Sequence, residues 1–353
     1  MVSVLRRSRR LGRSTARLPQ VSTNLAIGDY PSAGGHTFAL IQAEQTAHYT
    51  VLLHCEGTVE QWADLFGHHS ITMGASAPDV VALSAVWESA PASIDGRRQW
   101  LIADGHHYLD PSADIAVRAH ISVTFAAVAE DTRKEAAEMG VEVGARLPAL
   151  IGSLLGTGLS VAPMNSGAVL DLACGAYNEI TDTAGVSWPD VGPVEEHRVR
   201  NLLCHDGFVS SSWIISPHVL DAPIIAELVA PSAAVPRKRI TVTYRSTRLS
   251  PDIDPDQPEA MLHTASLERF GAIATITEPL GRTPSISPIS HGPDGTDDTG
   301  QGLPLYARLG IRKGYDRHAE LFAAGLGIGV LLPEHSQIDD EPIKHRHRPA
   351  ASS

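Results

Sequence analysis

Cysteine is scarce in this 353-residue chain, cations are thin over most of its length, and no apolar run is long. Each shortage removes a class of protein. The three cysteines, Cys55, Cys174 and Cys204, are an odd number with no C-x-x-C spacing. Neither a disulfide framework nor a zinc site is indicated, and reduced, buried thiols in a cytoplasmic compartment are the expectation. The most apolar stretches are 147–164, which is broken by Pro148 and several glycines and serines, and 321–332. Neither supplies the roughly 20 apolar residues of a spanning helix. Residues 1–20 carry no apolar core behind their arginines, so they are not a signal peptide. The phosphate-binding patterns G-x-x-x-x-G-K-[ST] and G-x-G-x-x-G are both missing, so the GLGIGV run at 325–330 is not a phosphate loop.

The cations that do occur are concentrated at the ends. Residues 1–20 hold Arg6, Arg7, Arg9, Arg10, Arg13 and Arg17 without an acid, and 344–353 hold Lys344, Arg346 and Arg348. That leaves 19 Lys and Arg against 40 Asp and Glu on residues 21–343. An acidic body is unsuited to reading nucleic acid, which needs a cationic face that releases counterions. The basic start suits the anionic surface of a membrane, or a solvated terminus.

Periodicity sketches the elements. Residues 208–215 read as a strand, 221–229 as a short helix capped by Asp221 and closed by Pro231, and 237–247 as another strand. The same order comes earlier. Residues 36–42 and 48–55 form a hairpin, Thr58 and Gln61 make a capping box ahead of Trp62, Leu65 and Phe66, and 80–88 return as a strand. Set beside 208–247, the segment 48–90 matches in element order but hardly in residue identity, which suggests an internal duplication. A strand at 119–127, a helix from Asp131 to about 153 broken near Pro148, a strand at 160–163 and a helix at 166–180 capped by Ser166 lie between. A helix from about 256, a polar loop at 283–302, strands at 303–315 and 326–332 with a helical turn at 319–324 between them, and a tail follow.

The expected fold class is α+β, with two similar strand-helix-strand modules on antiparallel or mixed sheets, ferredoxin-like in character. The expected organisation is a basic segment at 1–24, a first module at 25–130, a helical connection at 131–184, a second module at 185–333 and a basic tail at 334–353.

No chemical motif is compelling. Cys204-His205-Asp206 spells a nucleophilic triad, yet adjacent strand residues point to opposite faces. His68-His69 and His106-His107, near Asp104 and Asp110, lack the spacing of metal ligands. Asp252, Asp254 and Asp256, and later Asp294, Asp297 and Asp298, lack the fixed Gly and closing Glu of a calcium loop. His345 and His347 sit in the basic tail, where they gain charge only below about pH 6.5. No catalytic, cofactor-binding or metal-binding residue is assigned.

The run Gly185-x-x-Trp188-x-x-x-Gly192-Pro193, then His205-Asp206, Trp213, Arg237-Lys238-Arg239 and Thr243-Tyr244-Arg245, resembles an actinobacterial membrane-protein family. That family is encoded in conjugation-type gene clusters beside type IV secretion-like ATPases and is grouped with the type VII secretion component EccE. The likeness extends to His48-Tyr49-Thr50-Val51, Cys55-Glu56, Val86 and Glu88, and to Ala307–Arg312 and Gly329–Pro333, covering roughly residues 20–335. Where this chain has Cys204, the family more commonly has a basic residue.

The resemblance implies a non-enzymatic assembly component at the cytoplasmic face of the cell membrane, with secretion or conjugation proteins, including a translocase ATPase, as partners. It carries no catalytic residue onto this chain. Family members have two membrane-spanning helices ahead of the segment corresponding to the arginine-rich start. None precedes it here, which leaves open an upstream start or a trimmed member that docks on a partner. The alternatives are a cytoplasmic hydrolase using Cys204 or a His/Asp pair, and a DNA-handling accessory using the basic ends.

Overall fold

The computed structural model describes residues 25–44, 46–56, 79–91, 100–103, 106–109, 115–126, 128–129, 132–133, 135–155, 159–177, 186–188, 191–193, 195–200, 202–215, 222–229, 237–246, 267–280 and 311–332. Alternating, β-branched segments dominate these residues, and they assemble into one twelve-stranded sheet. Its strands are β1 (Leu25–Pro31), β2 (Thr37–Ala43), β3 (His48–Glu56), β4 (Val80–Pro91), β7 (Ile115–Ala126), β10 (Ser160–Pro163), β11 (Glu196–Val199), β12 (Leu202–His205), β13 (Phe208–Ile215), β14 (Arg237–Ser246), β15 (Leu267–Pro279) and β16 (Ile311–Lys313). Two further hairpins stand apart: β5 (Trp100–Ala103) with β6 (His106–Leu109), and β8 (Val128–Ala129) with β9 (Thr132–Arg133). Four helices complete the described elements: α1 (Ala136–Leu155), α2 (Ser166–Tyr177), α3 (Ala222–Val229) and α4 (His318–Ala324).

The α+β expectation with ferredoxin-like modules is corrected by this architecture. The molecule is predominantly antiparallel β-sheet, and β4 pairs with β14 from Lys238↔Ser89 to Arg245↔Ala82, so the two presumed modules share one sheet. Periodicity showed where strands lay but not that the edges of 80–91 and 237–246 would satisfy each other.

The strand path is nevertheless used twice. The order β1-β2-β3-β7-β4 meets β14-β15-β13-β12-β11, with β10 beside the end of β3 and β16 beside the end of β13. Thr50 and Thr124 share a hydrogen bond of 2.9 Å between β3 and β7, and Ser210 and Thr277 share one of 2.8 Å between β13 and β15. The Met164 amide donates to the Leu52 carbonyl at 2.9 Å, as the Gly314 amide does to Ser212 at 3.0 Å. Following the ladders inward from these matches makes Val86 the counterpart of Thr241. Those two residues face each other across β4 and β14, so a pseudo-twofold axis passes between them. The strands noted above for their common element order, β3 with β4 and β13 with β14, occupy corresponding places about this axis.

The two faces of the sheet differ in chemistry. One is aliphatic and aromatic: Tyr49, Val51, Leu53, Ile121, Trp87 and Ile240 pack with Met139, Val143 and Leu147 of α1 and with Ile225 and Leu228 of α3. The other alternates into hydroxyls and charges and is covered by α2, α4 and the segment 325–332. Across its middle His54, His120, Val86, Thr241, Ile273 and Ile214 stand opposite one another, strand by strand. On one side of that row lie Arg118, Glu88, Arg239, Thr275 and Ser212; on the other lie Leu52, Ser122, Ser84, Thr243 and Gly271.

Several local expectations change. The strand expected at 326–332 is an irregular strap, because Gly327 and Gly329 have φ of +66° and +89°. A Cβ on Gly327 would lie 2.6 Å from Val86 Cγ2, and one on Gly329 would lie 2.5 Å from Thr50 Oγ1, so the strap's main chain rests on the sheet itself. The helix expected from about 256 gives way to strand by Leu267; residues 256–266 fall outside the described residues. β15 is strand because it is paired on both edges, by β14 and β13. Helix α1 starts at Ala136 rather than Asp131 and runs through Pro148. Asn165, not Ser166, caps α2, its Oδ1 accepting the Ala168 amide at 2.9 Å. The helix expected after Thr58, the loop at 283–302, and both basic ends lie outside the described residues.

Candidate functional site

The polar face of the sheet carries the chemistry. Glu88 on β4 faces Arg239 on β14, with Oε1 3.2 Å from Nη2, and the Arg237 Nε lies 4.0 Å from the same oxygen. Burial works to push the Glu88 carboxyl up, but Arg239, then Arg237 and more weakly Arg118, overcome it and hold the group below its ordinary value. Burial in turn lowers Arg239, a loss that Glu88 partly offsets. Arg237 donates to the Gly175 carbonyl at 2.7 Å, where α2 exposes its last carbonyls and favours a cation. The Arg239 guanidinium lies over the Phe322 ring at 5.0 Å, and its Nη1 has no hydrogen-bond partner.

Three histidines are held neutral where the covering helices meet the sheet. Burial lowers His120 and His205 to about 4, and burial followed by the nearby Lys313 lowers His318 to about 4. Their partners fix the tautomers. His120 Nε2 is 3.0 Å from the Leu326 carbonyl, so it carries the proton and ties the strap to β7. His205 Nδ1 donates to the Tyr177 carbonyl at 2.9 Å, and Nε2 accepts from Ser210 at 2.8 Å. His318 Nδ1 accepts the Ser212 amide at 2.9 Å, leaving its protonated Nε2 buried without a partner.

Beside the charged row, a cavity of about 350 Å³ opens between α2 and the ends of β3, β4, β7 and β14. Its polar wall is His54, Glu88, Arg118, His120, Arg237 and Asp171. Met164, Ala168 and Leu172 give it an apolar side. Its volume lies at the lower end of the range for ligand pockets. Guanidiniums, imidazoles and carboxylates beside an apolar side are a lining suited to binding a ligand with both charged and apolar parts.

Among the described residues, those singled out from sequence are not brought together. Cys204 pairs with His197 and Val209 along the ladder while His205 turns inward to Tyr177, and burial raises the Cys204 thiol. Asp206 is a turn residue with φ of 45°, its carboxylate accepting the Glu195 amide at 2.8 Å. Ser210, the hydroxyl that His205 does reach, is fully buried. His106 and His107 are neighbours in β6, opposite Ala103 and Ile102. His68, His69, Asp104, Asp110, His345, His347 and both aspartate runs lie outside the described residues. Among the described residues no three His, Cys, Asp or Glu side chains form a group able to hold a metal, and no helix is long and apolar enough to cross a membrane.

Glu88, Arg237, Arg239 and His120 were not anticipated as a site. The available signal was Arg237-Lys238-Arg239 running directly into a strand, since charges inside a strand covered on both faces require partners. Residues quoted for the expected resemblance fall on the same framework: Trp188 Nε1 donates to the Leu25 carbonyl at 2.6 Å, His205 bridges Tyr177 and Ser210, and Arg245 donates to Leu332 at 3.4 Å. No protein-family model matches this chain, and none of the curated proteins does.

Proposed function

We propose that this chain is a non-enzymatic assembly component of an actinobacterial conjugation or type VII-like secretion machine, working at the cytoplasmic face of the membrane beside a translocase ATPase. The observation that carries the proposal is the run of residues resembling the EccE-associated family, from Trp188 through His205 and Arg237 to Gly329. Those positions hold the sheet and its cover together, which suits a likeness of architecture rather than of chemistry. The commitments of the titratable groups also favour a scaffold, because His120 and His205 are bound to main-chain carbonyls and Glu88 to guanidiniums. Burial raises the Cys204 thiol and so weakens it as a nucleophile for a hydrolase.

The test is recovery of the C-terminally tagged chain from native-host membranes washed in high salt, with co-purifying proteins identified. A secretion or conjugation ATPase in the washed pellet supports the proposal. A cytosolic monomer without such companions overturns it.

A further inference from the structure

The pseudo-twofold axis gives the cavity beside α2 a counterpart beside α4, and the two have opposite fates. Glu88, Ala90, Arg118 and His120 wall the first, and the axis carries them onto Thr243, Arg245, Gly271 and Ile273. Those four residues line a recess of only about 20 Å³, together with Val330, Leu331 and Leu332. The chain's own extended segment fills the counterpart. Val330 is buried there, and the Leu332 carbonyl accepts from Arg245 at 3.4 Å.

Symmetry cannot be kept at this point. Between α4 and Val330 the strap crosses the axis: Gly325 accepts from Thr241, Leu326 from His120, and Gly327 lies against Val86. Among the described residues one strap occupies the axis, the one after α4. Among the described residues, the cavity beside α2, large enough for roughly a dozen waters at about 30 Å³ each, is therefore the half of the pair left open.

We infer that this cavity is a docking site for a short extended peptide from a partner protein, held as Val330–Leu332 is held in the counterpart, but with an acidic side chain. The acid follows from what the axis exchanges. Gly271 becomes Arg118 and Ile214 becomes His54, and three guanidiniums, of Arg118, Arg237 and Arg239, surround the one Glu88 carboxylate. Asp171 on α2 offsets part of that charge. Met164, Ala168 and Leu172 receive the apolar part of the peptide. The inference goes beyond the assembly proposal and does not depend on it, since binding by the purified chain stands whether or not an ATPase is recovered.

The probes are fluorescent hexapeptides built on the strap, Gly-Ile-Gly-Val-Leu-Leu and its versions with Asp at one of the last three positions, measured by anisotropy against the full chain. An Asp-bearing peptide is expected to bind at least about tenfold more tightly than the parent, the value of one well-placed charge contact. Ala168→Trp, which fills the cavity, is expected to abolish binding. Arg118→Glu is expected to abolish the preference for Asp, and it carries the test alone if Ala168→Trp folds poorly. A photoreactive peptide should cross-link within Met164–Leu172. Binding of no peptide, binding that survives both substitutions, or displacement of the peptide by millimolar inorganic phosphate would overturn the inference, the last marking a small-anion site instead.

Discussion

Acidification should unfold this protein well before its carboxylates titrate, and the three buried histidines set the window. His120, His205 and His318 stand near 4 in the folded chain against an ordinary value of 6.5. Between those values the unfolded chain binds protons that the folded chain refuses, so stability is complete above about pH 6.5 and falls as pH drops toward 4. At pH 5 the linkage for one such group is about 2 kcal/mol, and about 6 kcal/mol for three. On the scale of roughly 2–4 °C per kcal/mol for a large domain, that lowers the melting temperature by roughly 12–24 °C between pH 8 and pH 5. Glu88 opposes nothing here, because its carboxyl is held below its ordinary value and stays ionised through the window. The assay is thermal unfolding by circular dichroism at half-unit steps, in dilute protein because the sequence pI of about 5.7 falls inside the range. His318→Gln should remove roughly a third of the slope. A melting temperature flat from pH 8 to 5, or a His205 ring that titrates near 6.5 by NMR, would refute the burial argument.

Three other perturbations separate the parts of the fold. Gly327→Ala and Gly329→Ala should each cost roughly 1–3 kcal/mol in urea unfolding, since positive φ and a clash coincide; Gly35→Ala, with φ of +80° and open space, should cost about 1 kcal/mol. Equal costs at all three would mean the strap does not rest on the sheet. Glu88→Gln leaves Arg239 and Arg237 facing each other without a carboxylate and should cost about 3–5 kcal/mol, which a chemical denaturation midpoint would register. In the native state at pH 8, a thiol reagent should modify Cys204 first and leave Cys55 untouched, because Cys55 is buried and its thiol is pushed up to about 12; early loss of Cys55 would contradict the packing of β3.

Much of the strand content was legible because alternation reports a face directly. The hairpin of β2 and β3, the strands β4, β7, β10, β13 and β14, and the helical turn of α4 lie where periodicity puts them. The fold class was misread for a physical reason: period locates a strand's faces and says nothing of what its edges meet, so the β4–β14 ladder that makes one sheet had no local signature. β15 was missed over its whole length, Leu267–Pro279, because a proline- and acid-rich approach resembles a helix start and 272–279 were assigned no element, while its strand character comes from pairing on both edges. At the site, His205 attracted attention as a neighbour of Cys204, whereas its role lies with Tyr177 and Ser210. Glu88 and His120 fit ordinary strand patterns, and their significance depends on Arg239 and Leu326, far away in sequence.

The strap also imposes an order in time. It is drawn from the end of the described chain, yet it shields Thr50, His120 and Val86, which are made early. During synthesis the first half can pair its strands, but the hydroxyls and histidine on its polar face stay wet until residues 325–332 have left the ribosome. A gene cut between α2 and β11 would thus yield a first half that loses both the strap and the β14 partner of β4. Among the described residues the strand path is used twice, but a single strap closes it.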